Sequence, residues 1–234
     1  MTMLSEFRNK EPKRVDVEIH DPSASISLEG VFYIPQYISG FVVFAHGSGS
    51  SKSSPRNNKV AKFLAEHKMA SLIFDLLTPE EAEDRKNVFD ISLLSERLMM
   101  ATQWLQFQSF YDGGPIAYFG ASTGSAAALV AASKFGSAIS GVVSRGGRVD
   151  LVPNSQMAKV VCPVLLIVGE LDEHVLNWNR RTLTNLRHGK LSVINGASHL
   201  FEEEGALDRV SNEASLWFQK CFREKELERL TNLQ

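Results

Sequence analysis

The chain alternates short, continuously apolar runs with longer amphipathic segments, and this alternation restricts its fold more than any other feature. The runs at 41–45 (Phe-Val-Val-Phe-Ala) and 164–168 (Val-Leu-Leu-Ile-Val) lack the polar alternation of a half-exposed strand. A strand buried on both faces has such a sequence, and parallel sheets covered by helices produce it. Eight strands are predicted, at 15–19, 27–34, 41–45, 71–75, 115–119, 139–144, 163–169 and 191–194.

The amphipathic segments between these runs carry apolar residues at helical spacing. They predict helices at 58–68, 92–107, 124–135, 178–188 and 205–229. Strand–helix alternation implies right-handed crossovers and a doubly wound, mostly parallel eight-stranded sheet of the α/β class. The first two runs have no helix between them, so we expect them to form an antiparallel hairpin at one edge. Reactive groups in open α/β sheets lie beyond the carboxyl ends of the strands, where candidate residues are sought.

Composition indicates an ordinary globular protein. With 234 residues, 44% hydrophobic and 22% charged, the chain fits one α/β domain better than a disordered polymer. We expect residues 1–234 to form a single domain, with a flexible segment at 1–14 and a frayed helix end at 226–234. Nothing in the pattern indicates a homo-oligomer, although one is possible.

Charge and cysteine content narrow the classes of partner. The net charge is −2, whereas a general nucleic-acid or anionic-membrane binder normally carries a basic excess. Cys162 and Cys221 form neither a CxxC motif nor a secreted-type framework, so we expect free thiols in a reducing compartment. No secretory signal and no run near the ~20 apolar residues of a membrane span is visible. These features predict a soluble, cytoplasmic protein with neither nucleic acid nor membrane as partner.

A candidate nucleophile follows the fifth run. Residues 120–124 read Gly-Ala-Ser-Thr-Gly, a G-x-S-x-G turn between a predicted strand and an Ala-rich predicted helix. Such a turn holds Ser122 on a strained backbone, which leaves little room for bulk two residues away on either side. The helix N-terminus favours negative charge, and the Thr123 N–H points toward a developing oxyanion. The alternative is a Gly/Ser turn that merely caps a helix.

The loop after the third run, 46–51 (His-Gly-Ser-Gly-Ser-Ser), can supply a second donor to an oxyanion, and we call it the oxyanion loop. The Ser48 N–H is the candidate, and His46 is expected to hold the loop rather than act as a base. The same loop followed by Lys52-Ser53 also resembles a P-loop. That motif requires glycine at positions 46 and 51, where the chain has His46 and Ser51, so nucleotide binding is a minor alternative.

A candidate acid and a candidate base follow the last two runs. Asp172 lies after the seventh run and His199 after the eighth, in the chain order Ser, acid, His that α/β-hydrolases use. A carboxylate fixes the imidazole tautomer and stabilises its cation, so Asp172 is expected to pair with His199. Glu170, two residues earlier, is the nearest rival for this role.

Four cationic side chains are predicted at the mouth of the site, and Lys52, Arg56 and Arg145 are the candidate substrate contacts among them. Lys52 and Arg56 follow the oxyanion loop, whereas Arg145, beside two glycines, and Arg148 follow the sixth run. They could hold a carboxylate or phosphate of the substrate at the mouth of the site. The alternative is that they are solvated or paired with nearby carboxylates. We expect no metal and no organic cofactor, because no His, Cys and carboxylate cluster has ligand spacing.

Taken together, these motifs resemble the α/β-hydrolases, and more closely their dienelactone-hydrolase-like branch, over about residues 15 to 225. The resemblance rests on the segments 46–51, 74–78, 120–124, 144–147, 169–172 and 198–203. It implies an α/β-hydrolase fold with the triad Ser122, Asp172 and His199. Dienelactone hydrolase itself uses a cysteine nucleophile, whereas this chain has Ser122 there. The resemblance also implies a minimal cap, because 145–161 is too short for a large lid.

These observations predict a serine hydrolase that cleaves a carboxylic ester or thioester of a small molecule through an acyl-enzyme. Two alternatives stay open. One is a ligand-binding protein that keeps the fold without useful turnover, and the other is a lactone or dienelactone-type hydrolase.

Overall fold

A computed structural model describes residues 11–21 and 26–231. Within them lies one eight-stranded sheet with the order β1-β2-β4-β3-β5-β6-β7-β8. The strands are β1 (Lys13–Asp21), β2 (Ile26–Ile34), β3 (Gly40–Ala45), β4 (Met69–Phe74), β5 (Ile116–Ala121), β6 (Ile139–Arg145), β7 (Val164–Gly169) and β8 (Gly189–Ile194). β2 pairs antiparallel with β1 and with β4, and all other neighbours pair parallel. The predicted doubly wound, mostly parallel sheet and its antiparallel edge hairpin are confirmed.

Helices cover both faces of this sheet. They are α1 (Pro55–Glu66), α2 (Pro79–Glu83), α3 (Arg85–Val88), α4 (Ile91–Gln106), α5 (Thr123–Phe135), α6 (Asn154–Met157), α7 (Glu173–Leu183) and α8 (Ala206–Thr231). α1 and α8 pack on one face of the sheet and form a hydrophobic core with the strand side chains on that face. α4 and α5 form the second core on the opposite face. The five strands β3 to β7 are buried along their whole length, which is why their sequences are continuously apolar.

Two helices begin three or more residues earlier than the sequence predicts. α1 begins at Pro55, because the Ser54 side chain caps it by accepting from the Asn57 N–H and proline suits the first helical position. α7 begins at Glu173, directly after β7, and ends at Leu183 instead of spanning 178–188. Its buried stripe is Val175, Leu176 and Asn179, and an asparagine on a core face does not stand out as part of an apolar pattern.

The chain ends are also more regular than expected where the structure describes them. β1 already includes Lys13 and Arg14, the last residues of the segment predicted to be flexible, and 1–10 lie outside the described residues. α8 continues to Thr231 through most of the segment predicted to fray, with ion pairs of the Lys225–Glu228 and Arg229–Glu226 type along its last turns. Residues 232–234 are not described.

The connections at the carboxyl edge of the sheet are short. Between β6 and β7 lie only a 3₁₀ turn at Val149–Leu151 and the single turn of α6, so this segment forms no lid. Between β4 and α4, the short helices α2 and α3 build a wall beside the edge. Over 11–21 and 26–231, no helix combines the length and apolar character that crossing a bilayer requires.

Candidate active site

Ser122 occupies a sharp turn between β5 and α5. Its backbone lies at φ 51° and ψ −120°, a conformation that costs a non-glycine residue about 1–3 kcal/mol and concentrates at functional sites. Two backbone hydrogen bonds stabilise this strained conformation. The Ser122 N–H donates to the Arg145 carbonyl at 3.0 Å, and the Arg148 N–H donates to the Ser122 carbonyl at 3.0 Å. The strand–turn–helix context predicted for the G-x-S-x-G motif is present.

The two glycines of the motif are required by contact. A Cβ at Gly120 would collide with the Ser125 backbone, and one at Gly124 would collide with the carbonyl oxygens of Ala45 and His46. α5 therefore packs directly against the end of β3. This contact brings the oxyanion loop beside Ser122, where a Cβ on Gly47 would lie 2.9 Å from the Ser122 Cβ.

Asp172 and His199 are in direct contact. The Asp172 carboxylate accepts from His199 Nδ1 at 2.5 Å, and their side chains are 14% and 38% exposed. With Nδ1 donating to this carboxylate, Nε2 is left as the acceptor nitrogen of the ring. Glu170 lies in the same loop but accepts from the Gly196 N–H at 2.8 Å, so it holds the loop after β8 instead of the imidazole.

Ser122 and His199 border the same short segment at the end of β6. Arg145 accepts the Ser122 N–H, and a Cβ on the next residue, Gly146, would lie 3.3 Å from His199 Nδ1. Gly146 has φ 54°, so glycine suits both its backbone and the closeness of the imidazole. Ser122 and the Asp172–His199 pair therefore both lie beside the carboxyl end of β6.

The oxyanion loop is held by His46, as expected. His46 Nδ1 contacts the Gly47 carbonyl at 2.9 Å, and Nε2 accepts the Leu76 N–H at 3.1 Å. Nδ1 is therefore the donor nitrogen, and burial lowers the pKa of His46, which keeps the ring neutral. A ring with both nitrogens engaged is a structural element of the loop.

The Ser48 N–H, the candidate second oxyanion donor, donates to Thr123 Oγ1 at 2.9 Å. The loop and the nucleophile helix are therefore joined through the two residues from which oxyanion donors are expected. The sequence contains no sign of this hydroxyl contact, since the two residues lie 75 positions apart. The Ser48 N–H can reach an oxyanion only by sharing or leaving the Thr123 hydroxyl.

The cationic candidates differ in their surroundings. Lys52 Nζ pairs with Glu29 and lies 3.8 Å from Asp75, and Arg56 pairs with Glu202 at 2.9 Å. These pairs match the alternative reading in which Lys52 and Arg56 are compensated by carboxylates. Arg145 is 8% exposed, and its Nη1 has no hydrogen-bond partner among the described residues. Burial, together with the positive charge of Arg56, lowers the pKa of Arg145 to about 10.

Two residues that hold the loops of the site were not predicted from the sequence. Asn179 of α7 is fully buried and donates from Nδ2 to the Gly147 carbonyl at 2.9 Å, which fixes the loop that carries Gly146. Glu203 accepts the Ser198 N–H at 3.0 Å beside His199. Hydrogen bonding from the Ser198 side chain, and to a smaller extent from backbone N–H groups, lowers the pKa of Glu203. Glu203 lies in a recognisable motif, but the partner of Asn179 depends on tertiary packing.

A cavity of about 290 Å³ opens beside the oxyanion loop, bounded by Ser48, Thr123 and the wall of α2 and α3. Across the described ranges 11–21 and 26–231, no group of three or more His, Cys, Asp or Glu side chains is arranged to hold a metal ion.

Comparison with known proteins places this geometry in a family. No family model matches the chain. The crystal structure of dienelactone hydrolase from Anabaena variabilis is 44% identical, covers 90% of this chain and 99% of its own, and has a TM-score of 0.85.

Two more distant structures share the fold. A dienelactone-hydrolase-like promiscuous phosphotriesterase from metagenomic libraries is 15% identical, with a TM-score of 0.70 and coverage of 91% of this chain and 100% of that one. Est1E from Butyrivibrio proteoclasticus is 15% identical, with a TM-score of 0.74 and coverage of 88% and 98%. At these identities the likeness shows the fold alone.

Two curated proteins of Mycobacterium tuberculosis strains, provisionally described as phosphoribosyl transferases, are 48% identical over 210 residues. The match covers 89% of this chain and 47% of theirs, so the chain spans about half the length of these relatives. Their description refers to the longer proteins. The 44% identity to dienelactone hydrolase over nearly the whole of both chains shows that this chain belongs to the dienelactone-hydrolase-like branch of the α/β-hydrolases.

Proposed function

We propose that the protein is a serine hydrolase that cleaves a carboxylic ester or thioester through Ser122, His199 and Asp172. The observation that carries the proposal is the Asp172–His199 hydrogen bond of 2.5 Å beside the strained turn of Ser122. The hydrolases and esterases among the structural neighbours support hydrolysis in general.

In the proposed first half-reaction, His199 Nε2 takes the Ser122 proton as Oγ bonds to the substrate carbonyl carbon. The carbonyl electrons move onto oxygen, and the N–H groups of Thr123 and Ser48 donate to this oxyanion. Asp172 stabilises the imidazolium that forms. When the tetrahedral intermediate collapses, the bond to the alcohol or thiol breaks and the leaving group takes the proton from His199.

In the second half-reaction, water attacks the acyl-enzyme. His199 accepts a proton from the water and returns it to Ser122 Oγ, which releases the carboxylic acid. The Thr123 N–H belongs to the first turn of α5, where backbone N–H groups have no partner within the helix. Ser48 contributes when its N–H turns from the Thr123 hydroxyl to the developing oxyanion.

A role of Arg145, Lys52 and Arg56 in binding an anionic part of the substrate remains a prediction. Lys52 and Arg56 pair with carboxylates, so the mouth of the site has less uncompensated positive charge than the sequence suggests. Arg145 retains an unpartnered guanidinium nitrogen, so it is the stronger candidate of the three.

Covalent labelling tests the proposal. A fluorophosphonate should modify the wild type, and mass spectrometry should place the adduct on the peptide that contains Ser122. Ser122→Ala should lose the label and lower kcat by about 10⁴ to 10⁶. Ser137→Ala, a matched serine substitution at an exposed position beyond the far end of α5, should keep both. Labelling that persists in Ser122→Ala would overturn the assignment.

A lactone or dienelactone-type substrate is the second candidate, favoured by the 44% identity to dienelactone hydrolase. A panel of esters, thioesters and lactones separates these classes by their kcat/KM values. Burst release of p-nitrophenol, in an amount equal to the enzyme, would exclude a binding protein without turnover.

A further inference from the structure

The cavity beside the oxyanion loop has a specific position relative to the proposed chemistry. Its lining includes Ser48 and Thr123, the two residues whose N–H groups are proposed to bind the oxyanion. The oxyanion derives from the carbonyl oxygen of the substrate, so a cavity that begins at these donors can receive a group attached to the carbonyl carbon. We call this cavity the acyl pocket.

The acyl pocket is apolar. The apolar residues of its lining are Leu76, Leu77, Pro79, Ala82, Val88 and Leu94. Among the described residues that line it, the charged one is Asp75, which accepts the Lys52 N–H at 2.7 Å and lies near Lys52 Nζ. His46 also borders the pocket but has both ring nitrogens engaged. An anionic acyl group would therefore lose hydration there without gaining a partner, and the carboxylate that could pair with a cationic group, Asp75, is already engaged by Lys52.

The wall of the acyl pocket is fixed by polar contacts behind it. Thr78 and Glu81 form a reciprocal capping box at the start of α2. Glu81 also accepts from Arg97 of α4 at 2.6 Å, and its carbonyl accepts from Asn87 Nδ2 at 2.9 Å. These bonds join α2, α3 and α4, so the pocket is formed before any ligand binds.

Arg145, the strongest cationic candidate, does not face the acyl pocket. Side chains two residues apart on a strand share a face, and Val143 belongs to the core under α1 and α8, so Arg145 lies on that face. The pocket ends on Leu94, which belongs to the core under α4 on the opposite face. An acyl group in the pocket is therefore separated from the Arg145 guanidinium by the sheet.

We infer that the substrate carries an uncharged, apolar acyl group that fills the acyl pocket. This inference rests on the proposed function, which supplies the position of the carbonyl. A dry apolar cavity of about 150 Å³ holds one benzene, and the acyl pocket measures about 290 Å³. On this scale it takes a medium-chain or arylalkyl acyl group of about six to ten carbons.

Ester hydrolysis with a constant leaving group tests the inference. The kcat/KM values of p-nitrophenyl acetate, butyrate, hexanoate, octanoate and decanoate should rise by up to about fourfold per buried methylene and then level off. A mono-p-nitrophenyl adipate, with a carboxylate at the end of its acyl chain, should react more slowly than the hexanoate. A flat series, or a preference for the adipate, would overturn the acyl pocket.

Ala82→Phe should shorten the preferred chain, because Ala82 is exposed at the rim of the pocket and a larger side chain would fill the space without disturbing a core. We expect the octanoate to lose about tenfold or more in kcat/KM while the acetate is little changed. Ala138→Phe, an equal substitution at an exposed position in the turn that precedes β6, should behave as wild type. An unchanged chain-length profile in Ala82→Phe would contradict the inference.

Ligand binding separates a failure of the acyl pocket from a failure of the proposed function. Straight-chain primary amides of the same lengths should raise the melting temperature of Ser122→Ala increasingly up to about eight carbons, and less in Ser122→Ala combined with Ala82→Phe. Chain-length-dependent binding without hydrolysis of any ester would refute the proposed function and retain the pocket. Hydrolysis without chain-length dependence would refute the pocket and retain the function.

Discussion

Asp172 and Glu170 lie two residues apart after β7, yet their carboxylates have different partners. Asp172 accepts from His199, whereas Glu170 accepts from the Gly196 N–H in the loop that precedes His199. An extended backbone would place both side chains on one side, but Asp172 already begins the turn into α7. The difference assigns them separable roles.

Asp172→Asn should lower kcat by roughly 10⁴, because an amide favours the wrong imidazole tautomer and does not stabilise the cation. Glu170→Gln should cost less than about tenfold, since the amide oxygen can still accept from the Gly196 N–H. Steady-state kinetics on one ester measures both variants, and circular dichroism checks that they are folded. The reverse ranking would transfer the orienting role to Glu170.

Arg145 is a residue that we expect to lower the stability of the fold while it contributes to function. Its guanidinium is buried, and its lowered pKa of about 10 shows that the fold disfavours the charged form, although it remains protonated at neutral pH. Arg145→Met should therefore leave the free energy of unfolding unchanged or raise it by about 1–4 kcal/mol, as measured by urea denaturation.

The same variant tests substrate charge. Because the acyl pocket is apolar, the anion that Arg145 could bind lies on the leaving group, beside His199. Arg145→Met should slow an ester with a carboxylate on its alcohol group by about 10- to 150-fold and spare the methyl-ester analogue. Equal effects on both esters would make Arg145 a structural residue.

At the scale of elements, α2 is a short helix whose stability depends on Glu81. This side chain completes the capping box with Thr78 and pairs with Arg97, which is nearly buried. Five residues form a marginal helix without such contacts. The wall of the acyl pocket therefore depends on one carboxylate.

Glu81→Gln retains a capping acceptor but removes the charge opposite Arg97. We expect a loss of about 1–3 kcal/mol in the free energy of unfolding and a weaker dependence of kcat/KM on acyl chain length. Glu83→Gln, at an exposed position at the end of α2, should change neither quantity. If Glu81→Gln loses stability but keeps the wild-type chain-length profile, the wall does not depend on this ion pair.

Across the whole molecule, the carboxyl ends and the amino ends of the strands carry different reactive groups. Ser122 and His199 lie beyond the carboxyl ends of the strands, while Cys162 precedes β7 and borders the opposite edge together with Cys221 of α8. Burial raises the pKa of both thiols to about 12, so both are protonated at neutral pH. Neither cysteine lies at the strand ends that carry Ser122 and His199.

Iodoacetamide at pH 7–8 should therefore leave activity intact, and both thiols should react only after unfolding or as the pH approaches about 12. Mass spectrometry of alkylated peptides, with and without urea, measures this difference. A fluorophosphonate on the same sample should abolish activity. Rapid inactivation by iodoacetamide that substrate prevents would contradict a serine mechanism.

Features that depend on local patterns could be predicted from the residues alone. Continuous apolar runs identified the buried strands, because a strand covered on both faces has no solvent-facing positions. The glycines around Ser122 identified the sharp turn, since the required backbone excludes bulk there. The chain order of Ser122, Asp172 and His199, after successive strand ends, predicted a meeting point at one edge of a parallel sheet.

Features that depend on contacts between distant residues emerged from the folded structure. It joined Ser48 to Thr123, chose Asp172 over Glu170 as the partner of His199, and paired Lys52 with Glu29. It also placed the wall of the acyl pocket and Arg145 on opposite faces of the sheet. A side chain's partner is set by strand order, register and loop path, because hydrogen bonds and ion pairs act over a few ångströms in space and not along the chain.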